Sequence, residues 1–205
     1  MDGLGAIVLC GGRSSRMGAD KATLRLPDGR TMLQAVLGSI GRVVSSGRMV
    51  CVAAEGQELG ALPRDVAVAH DREPQRGPLE GFAAGLAALP AGVDRTLLLA
   101  CDTPLLTARF CRLLVKHLSA EHDAVVPVIE GCEHPLTAAY RTGVREQVEA
   151  MLAADRLRAR DLLAELRVRA ITADEARAVD PSLGSLRSCN TPEELSALLE
   201  TAAKS

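Results

Sequence analysis

Residues 6–21 read Ala6-Ile7-Val8-Leu9-Cys10-Gly11-Gly12-Arg13-Ser14-Ser15-Arg16-Met17-Gly18-Ala19-Asp20-Lys21. Five apolar residues closed by a glycine pair predict a buried strand over 6–10. The segment after it is rich in Gly and Ser and carries Arg13, Arg16 and Lys21. Glycines let a backbone approach a phosphate closely and aim its amides at it. Arginine adds a planar fork, and lysine a compact charge that can follow a moving phosphate. An ordinary Gly-Ser connection explains the glycines but not three cations packed beside them. GxxxxGK(S/T) and GxGxxG are both absent, so this is neither a P-loop nor a dinucleotide fingerprint, and a nicotinamide dehydrogenase is a poor reading.

The alternation continues along the chain. Apolar runs predict strands at 49–53, 66–69, 96–101, 124–129 and 168–171, with a short partner at 136–140. Amphipathic stretches predict helices from 31 to about 44, and at 78–89, 107–118, 142–153 and 160–166. Thr31-Met32-Leu33-Gln34 fits a capping box, and Thr191-Pro192-Glu193-Glu194 joins such a box to a proline at the first helical position. Strands alternating with helices predict an α/β, three-layer architecture: a mainly parallel sheet with helices on both faces. In such sheets ligands bind outside the carboxyl ends of the strands.

With 205 residues the chain fits a single domain, 1–205. Hydrophobic residues make up 47% and aromatics 1%, so the core is aliphatic. The net charge of −2 supplies no long-range field for nucleic acid or an anionic membrane. Of the 24 basic residues only Lys21, Lys116 and Lys204 are lysines, which sets Lys21 apart in a chain that otherwise uses arginine. The six cysteines lack CxxC spacing, and Cys10, Cys51 and Cys101 stand in apolar runs; reduced, buried thiols in the cytoplasm are expected. No run is long enough to span a membrane, and the first is too short for a signal peptide.

Three further places carry candidate chemistry. Leu97-Leu98-Leu99-Ala100-Cys101-Asp102-Thr103-Pro104 puts a carboxylate at the end of an apolar strand. Mg²⁺ in phosphoryl-transfer sites takes one or two carboxylates beside phosphate oxygens and waters. An Asx turn before proline explains Asp102 equally well. His70-Asp71 follows a strand, and Gly77-Pro78-Leu79-Glu80-Gly81 opens a helix whose N-terminus favours an anion or a close base contact. Asp71 can accept hydrogen bonds from a ribose or base, though alone it reads first as a solubilising loop residue. Glu133-His134-Pro135-Leu136, with Tyr140-Arg141 beyond, offers a His and an Arg suited to an anionic acceptor; a lone His reads first as structural.

These residues together resemble the molybdenum cofactor nucleotidyltransferase family. Its signature L-A-G-G-x-S-x-R-M-G-x-D-K is similar to Leu9–Lys21, its G-P-L-x-G to Gly77–Gly81, and its C-D-T-P to Cys101–Pro104. Its H-P-L and later Y-R are similar to His134-Pro135-Leu136 and Tyr140-Arg141, and its N-T-P-E-(D/E)-L to Asn190–Leu195. The landmarks keep the family's order over nearly the whole chain. The resemblance implies a Rossmann-like nucleotidyltransferase fold and Mg²⁺ as cofactor, held by Asp102. It implies that Leu9, Cys10 and Gly11 line the base, with Gly12, Arg13 and Gly77 completing the nucleotide site. Lys21 would hold the triphosphate with Arg16 assisting, and Asp71 would touch the nucleoside. His134, Arg141 and Asn190 would serve the acceptor, the molybdopterin cofactor. The Gly11-Gly12 pair matches guanylyl-transferring members, where cytidylyl-transferring ones have L-A-A-G, so GTP is the expected donor. Molybdoenzyme apoproteins or insertion chaperones are the implied recipients. Two departures stand out. Leu186 and Ser188 replace the Phe and first Asn of F-x-N-x-N-T-P, and Val52-Ala53-Ala54-Glu55 lacks the Asn often found after the second strand. CTP as donor, a sugar phosphate or phospholactate as acceptor, and a non-catalytic GTP-binding module remain the alternatives.

Overall fold

The computed structural model describes residues 3–11, 21–73 and 76–203, and the side chains of 3–11, 22–73 and 76–200 within them. Eight strands form one sheet: β1 (Leu4–Leu9), β2 (Met49–Ala53), β3 (Ala67–His70), β4 (Arg95–Ala100), β5 (Ala124–Ile129), β6 (Cys132–Glu133), β7 (Thr137–Arg141) and β8 (Val168–Ile171). Their order is β3-β2-β1-β4-β7-β5-β6, with β8 paired to β5. β1 to β4 are parallel, as are β5 and β8, while β7 runs antiparallel between β4 and β5 and β6 is antiparallel to β5. The mainly parallel sheet is as expected, and the antiparallel insertion of β7 is the addition. The first three strands step outward from β1 on one side and β4 lies on its other side. The chain therefore switches direction between β1 and β4, where their carboxyl ends leave a crevice.

The helices are α1 (Met32–Ile40), α2 (Pro78–Ala88), α3 (Ala108–His117), α4 (Arg145–Ala153), α5 (Ala159–Leu163), α6 (Ala173–Arg177) and α7 (Pro192–Ala203). Strand alternation divides the core between two faces. Ala6, Val8, Cys51, Leu97, Leu99 and Val125 join Leu33, Val36 and Ile40 of α1 and Phe110 and Leu114 of α3. Ile7, Leu9, Val50, Val52 and Leu98 join Leu79 and Phe82 of α2, Val148 and Met151 of α4, and Leu162 of α5. A smaller cluster of Leu26, Met32, Ala35, Cys189, Leu195 and Leu198 seats α7 against α1.

Capping explains several boundaries. Thr31 accepts from the Gln34 amide while the Gln34 side chain accepts from the Thr31 amide, completing the expected box at α1. α1 stops at Ile40, short of the expected 44, where Gly41 follows. Residues 142–144 form a 3₁₀ turn before α4, so the helix expected from 142 starts later. α6 was not anticipated, although Thr172 and Glu175 form a capping box at its start.

Phe82 is fully buried, its ring centroid 5.0 Å from that of Tyr140. With so few aromatics, this pair fills a volume the aliphatic residues leave open. Phe82→Ala is expected to cost about 3–5 kcal/mol through lost transfer energy and the cavity left behind, read as a lower urea midpoint at unchanged slope.

Candidate functional site

The crevice at the carboxyl ends of β1 and β4 gathers most of the residues singled out in the sequence. β1 delivers Leu9, Cys10 and Gly11. The amides of Cys10 and Gly11 both donate to the Val52 carbonyl, at 2.8 and 3.2 Å, so the chain leaves β1 hugging β2. Gln57 closes this corner, its Nε2 donating to the Cys10 carbonyl at 3.0 Å and its Oε1 accepting from the Ala54 amide at 2.8 Å. This side-chain amide lies just past the second strand, where the sequence shows no Asn. Gly12, Arg13 and Arg16 lie outside the described residues. Lys21 opens a 3₁₀ turn, Lys21–Thr23, whose next residue Ala22 is fully buried.

Asp71 stands at the end of β3, its amide donating to the Ala53 carbonyl at 3.3 Å. Its carboxylate is wedged between two glycines from different motifs. A Cβ on Gly11 would lie 3.4 Å from Oδ2 and 3.2 Å from the Ala54 amide nitrogen; one on Gly81 would lie 3.2 Å from Oδ1 and 3.0 Å from Leu9 Cδ2. Space, not backbone freedom, is what these two glycines supply. Among the described residues no hydrogen-bond donor reaches the Asp71 carboxylate, so its acceptor capacity is open to a ligand. Burial, reinforced by the charge of Glu80, raises its pKa above the usual aspartate range. Gly77 precedes α2 with φ +80° and ψ −172°, a backbone that favours glycine, and hands over to Pro78 at the first helical position. The α2 N-terminus consequently opens close to Asp71, with its unsatisfied amides and positive dipole end.

Asp102 follows β4 and is half-buried. The Cys101 amide donates to the Leu9 carbonyl at 3.0 Å, which ties the Asp102 turn to the end of β1. Thr103 Oγ1 donates to the Ala100 carbonyl at 3.0 Å. The Cys189 amide donates to the Asp102 carbonyl at 2.9 Å, so the segment entering α7 crosses this turn and brings Asn190 beside it. Two residues the sequence reading passed over build that crossing. Buried Asp180 accepts from the Ser185 amide at 2.7 Å, and Ser185 Oγ accepts from the Thr107 amide at 3.1 Å. Asn190 is held by Glu194, which accepts from its backbone amide at 2.6 Å.

His134 lies in the turn between β6 and β7, on the same end of the sheet, because antiparallel β7 begins there with Thr137 opposite Leu99. Its amide donates to the Pro127 carbonyl at 3.0 Å, and buried Tyr140 donates from its hydroxyl to Pro135 at 2.9 Å, fixing the turn. Burial first and the Arg160 charge second lower the His134 pKa, which keeps the imidazole neutral at pH 7. Arg141 does not join this group. It pairs with Arg95 at the start of β4, the opposite end of the sheet, and donates to the carbonyls of His122 at 3.1 Å and Ser119 at 2.9 Å. It is a structural clamp on the turn before β5, and the acceptor role expected for it does not fit this position.

All six cysteines are free thiols, five buried and Cys132 exposed. Among the described residues no group of three His, Cys, Asp or Glu side chains could hold a metal ion, and no helix is long and apolar enough to cross a membrane. Glycine-lined backbone at the end of β1, the Asp71 carboxylate against it and a second carboxylate, Asp102, after β4 suit a nucleotide.

Comparison with known proteins agrees. The family model described as MobA-like NTP transferase domain matches residues 6–170. A molybdenum cofactor guanylyltransferase of Desulfosudis oleivorans is 35% identical over 195 residues, 95% of this chain and 94% of that one. A Mycobacterium tuberculosis protein named probable molybdenum cofactor guanylyltransferase is 39% identical over 153 residues, 74% of each chain. Among solved structures, molybdopterin-guanine dinucleotide biosynthesis protein A from Archaeoglobus fulgidus superposes with a TM-score of 0.79 at 22% identity, covering 98% of this chain and 99% of that one. A 4-diphosphocytidyl-2C-methyl-D-erythritol synthase from Anaerococcus prevotii follows the same fold, with a TM-score of 0.73 at 14% identity, covering 98% and 96%.

Proposed function

This chain belongs to the MobA-like NTP transferase family, and from that membership we propose that it transfers GMP from GTP to the molybdopterin cofactor, releasing pyrophosphate and forming molybdopterin guanine dinucleotide. The observation that carries the reading is the 35% identity sustained over 95% of the chain. An oxygen of the acceptor's terminal phosphate attacks the α-phosphorus of GTP in line; that P–O bond forms as the bond from the α-phosphorus to the β-bridging oxygen breaks. The nucleophile is already an anion, so no strong general base is required. Positioning and charge neutralisation do the catalysis.

Each residue has a share in this. Leu9, Cys10 and Gly11 line the base, and Asp71 accepts hydrogen bonds from the nucleoside. Lys21, with Arg16, neutralises the triphosphate, and His134 and Asn190 flank the acceptor end. Asp102 fits Mg²⁺: one hard carboxylate at the crevice suits an ion whose other ligands are phosphate oxygens and waters. When bound, the ion neutralises charge on the phosphates. Delivery of the product to molybdoenzyme apoproteins or insertion chaperones in the cytoplasm completes the reading.

Calorimetric titration with GTP, CTP, ATP and UTP, each with Mg²⁺, tests the donor: selective GTP binding is expected, and a preference for CTP contradicts it. Two predictions refine this. Gly11→Ala places a methyl against Asp71 and Ala54 and is expected to weaken GTP about tenfold while sparing CTP, measured by the same titration. Asp71 accepts at both oxygens only when ionised, since protonation turns one of them into a donor, and its raised pKa means acidification protonates it sooner than a solvated aspartate. GTP affinity should therefore fall with decreasing pH from above the usual aspartate midpoint. Asp71→Asn removes that component, so the difference between the two pH profiles isolates it from titration of the nucleotide.

A further inference from the structure

Glu80 is the anomaly of α2. Its neighbours Leu79, Phe82, Ala83, Ala84 and Leu86 are buried apolar residues, yet this carboxylate is only 2% exposed among them. Such a charge loses hydration that its partners must replace. The partner is Arg72, the residue after Asp71, whose Nε donates to Glu80 Oε1 at 2.8 Å. The same guanidinium reaches across to α4, with Nη1 and Nη2 donating to the two Glu149 oxygens at 3.2 and 3.1 Å. One planar fork thus pins the chain leaving β3 to two helices at once. Asp71 lies one residue upstream, with its own amide fixed to Ala53 and its carboxylate between Gly11 and Gly81.

We propose that Glu80 is a positioning residue for nucleoside recognition: it anchors Arg72, and the anchored Arg72 fixes the Asp71 carboxylate in the slot between Gly11 and Gly81. The inference rests on the nucleotidyltransferase reading above. Glu80 touches no substrate. Its effect reaches the nucleoside through residues 72 and 71 and leaves the phosphate end, served by Lys21, untouched. A merely structural role would weaken both ends alike.

The test is calorimetric titration of the whole protein with GTP and with inorganic tripolyphosphate, Mg²⁺ present, for wild type, Glu80→Ala, Glu80→Gln and Arg72→Ala. Wild type is expected to bind GTP more tightly than tripolyphosphate. Glu80→Ala and Arg72→Ala should each weaken GTP about tenfold and leave tripolyphosphate within about twofold. Glu80→Gln keeps an oxygen for Arg72 Nε and should recover most of the GTP affinity. Arg72 is half-exposed, so Arg72→Ala carries the test if Glu80→Ala does not fold. Unchanged GTP affinity in the alanine variants, or equal losses for both ligands, overturns the proposal. A wild-type protein that does not prefer GTP to tripolyphosphate overturns the nucleotide reading, and the proposal with it, before any variant is compared.

Discussion

Asp102→Ala is expected to lower the rate of GMP transfer by a factor on the order of 10²–10³ or more, the usual cost of removing one electrostatic stabiliser from a phosphoryl-transfer site. The reason is positional. Asp102 follows β4 at the direction switch of the sheet, its turn tied to β1 through Cys101 and Leu9, and the proposed function puts the nucleotide phosphates beside its carboxylate. The bond to Cys189 uses the Asp102 backbone carbonyl, which alanine retains. The loss should therefore appear in turnover, measured as pyrophosphate release across a Mg²⁺ titration, with thermal stability held. Wild-type turnover in this variant would remove Asp102 from the metal and phosphate chemistry.

Lys21→Ala should cost a similar factor, on the order of 10²–10³. Its backbone is set by the 3₁₀ turn Lys21–Thr23, which buries Ala22 and leads toward α1. As pyrophosphate departs, negative charge grows on the bridging oxygen, and a compact ammonium can follow it. Lys21→Arg is accordingly expected to restore GTP binding better than turnover, seen by comparing Kd from titration with kcat from pyrophosphate release. Equal recovery of both would mean that only the charge matters.

Much of the fold was legible in the residues. Met49–Ala53 and Ala124–Ile129 are strands over the expected spans, because uninterrupted apolar runs leave little freedom, and Val168–Ile171 matches its expected span although Arg169 interrupts the run. The boxes expected at Thr31 and Thr191 mark helix starts; the first forms in full, while at Thr191 the hydroxyl accepts from the Glu194 amide but the Glu194 carboxylate accepts from the Asn190 amide instead. What escaped is non-local. Arg141 is expected at the acceptor, yet β7 runs antiparallel, which sends it to the far end of the sheet. Sequence spacing does not reveal strand direction. Asp71 alone looked like a solubilising residue, and only folding brings it between Gly11 and Gly81, 60 residues or fewer away along the chain but in contact in space. Gln57 and Ser185 likewise act through bonds to distant segments, with Asp180 bracing Ser185 from five residues away. Glu80 sat inside an apolar helix, and its partner eight residues earlier is not at helical spacing.

The most direct test of the central claim is a turnover assay with purified protein, GTP, Mg²⁺ and molybdopterin cofactor, following pyrophosphate and the dinucleotide product together. The account predicts equimolar formation of pyrophosphate and molybdopterin guanine dinucleotide, dependent on the pterin and on GTP. Pyrophosphate release that ignores molybdopterin but responds to a sugar phosphate or phospholactate, or no release with any acceptor, would contradict it.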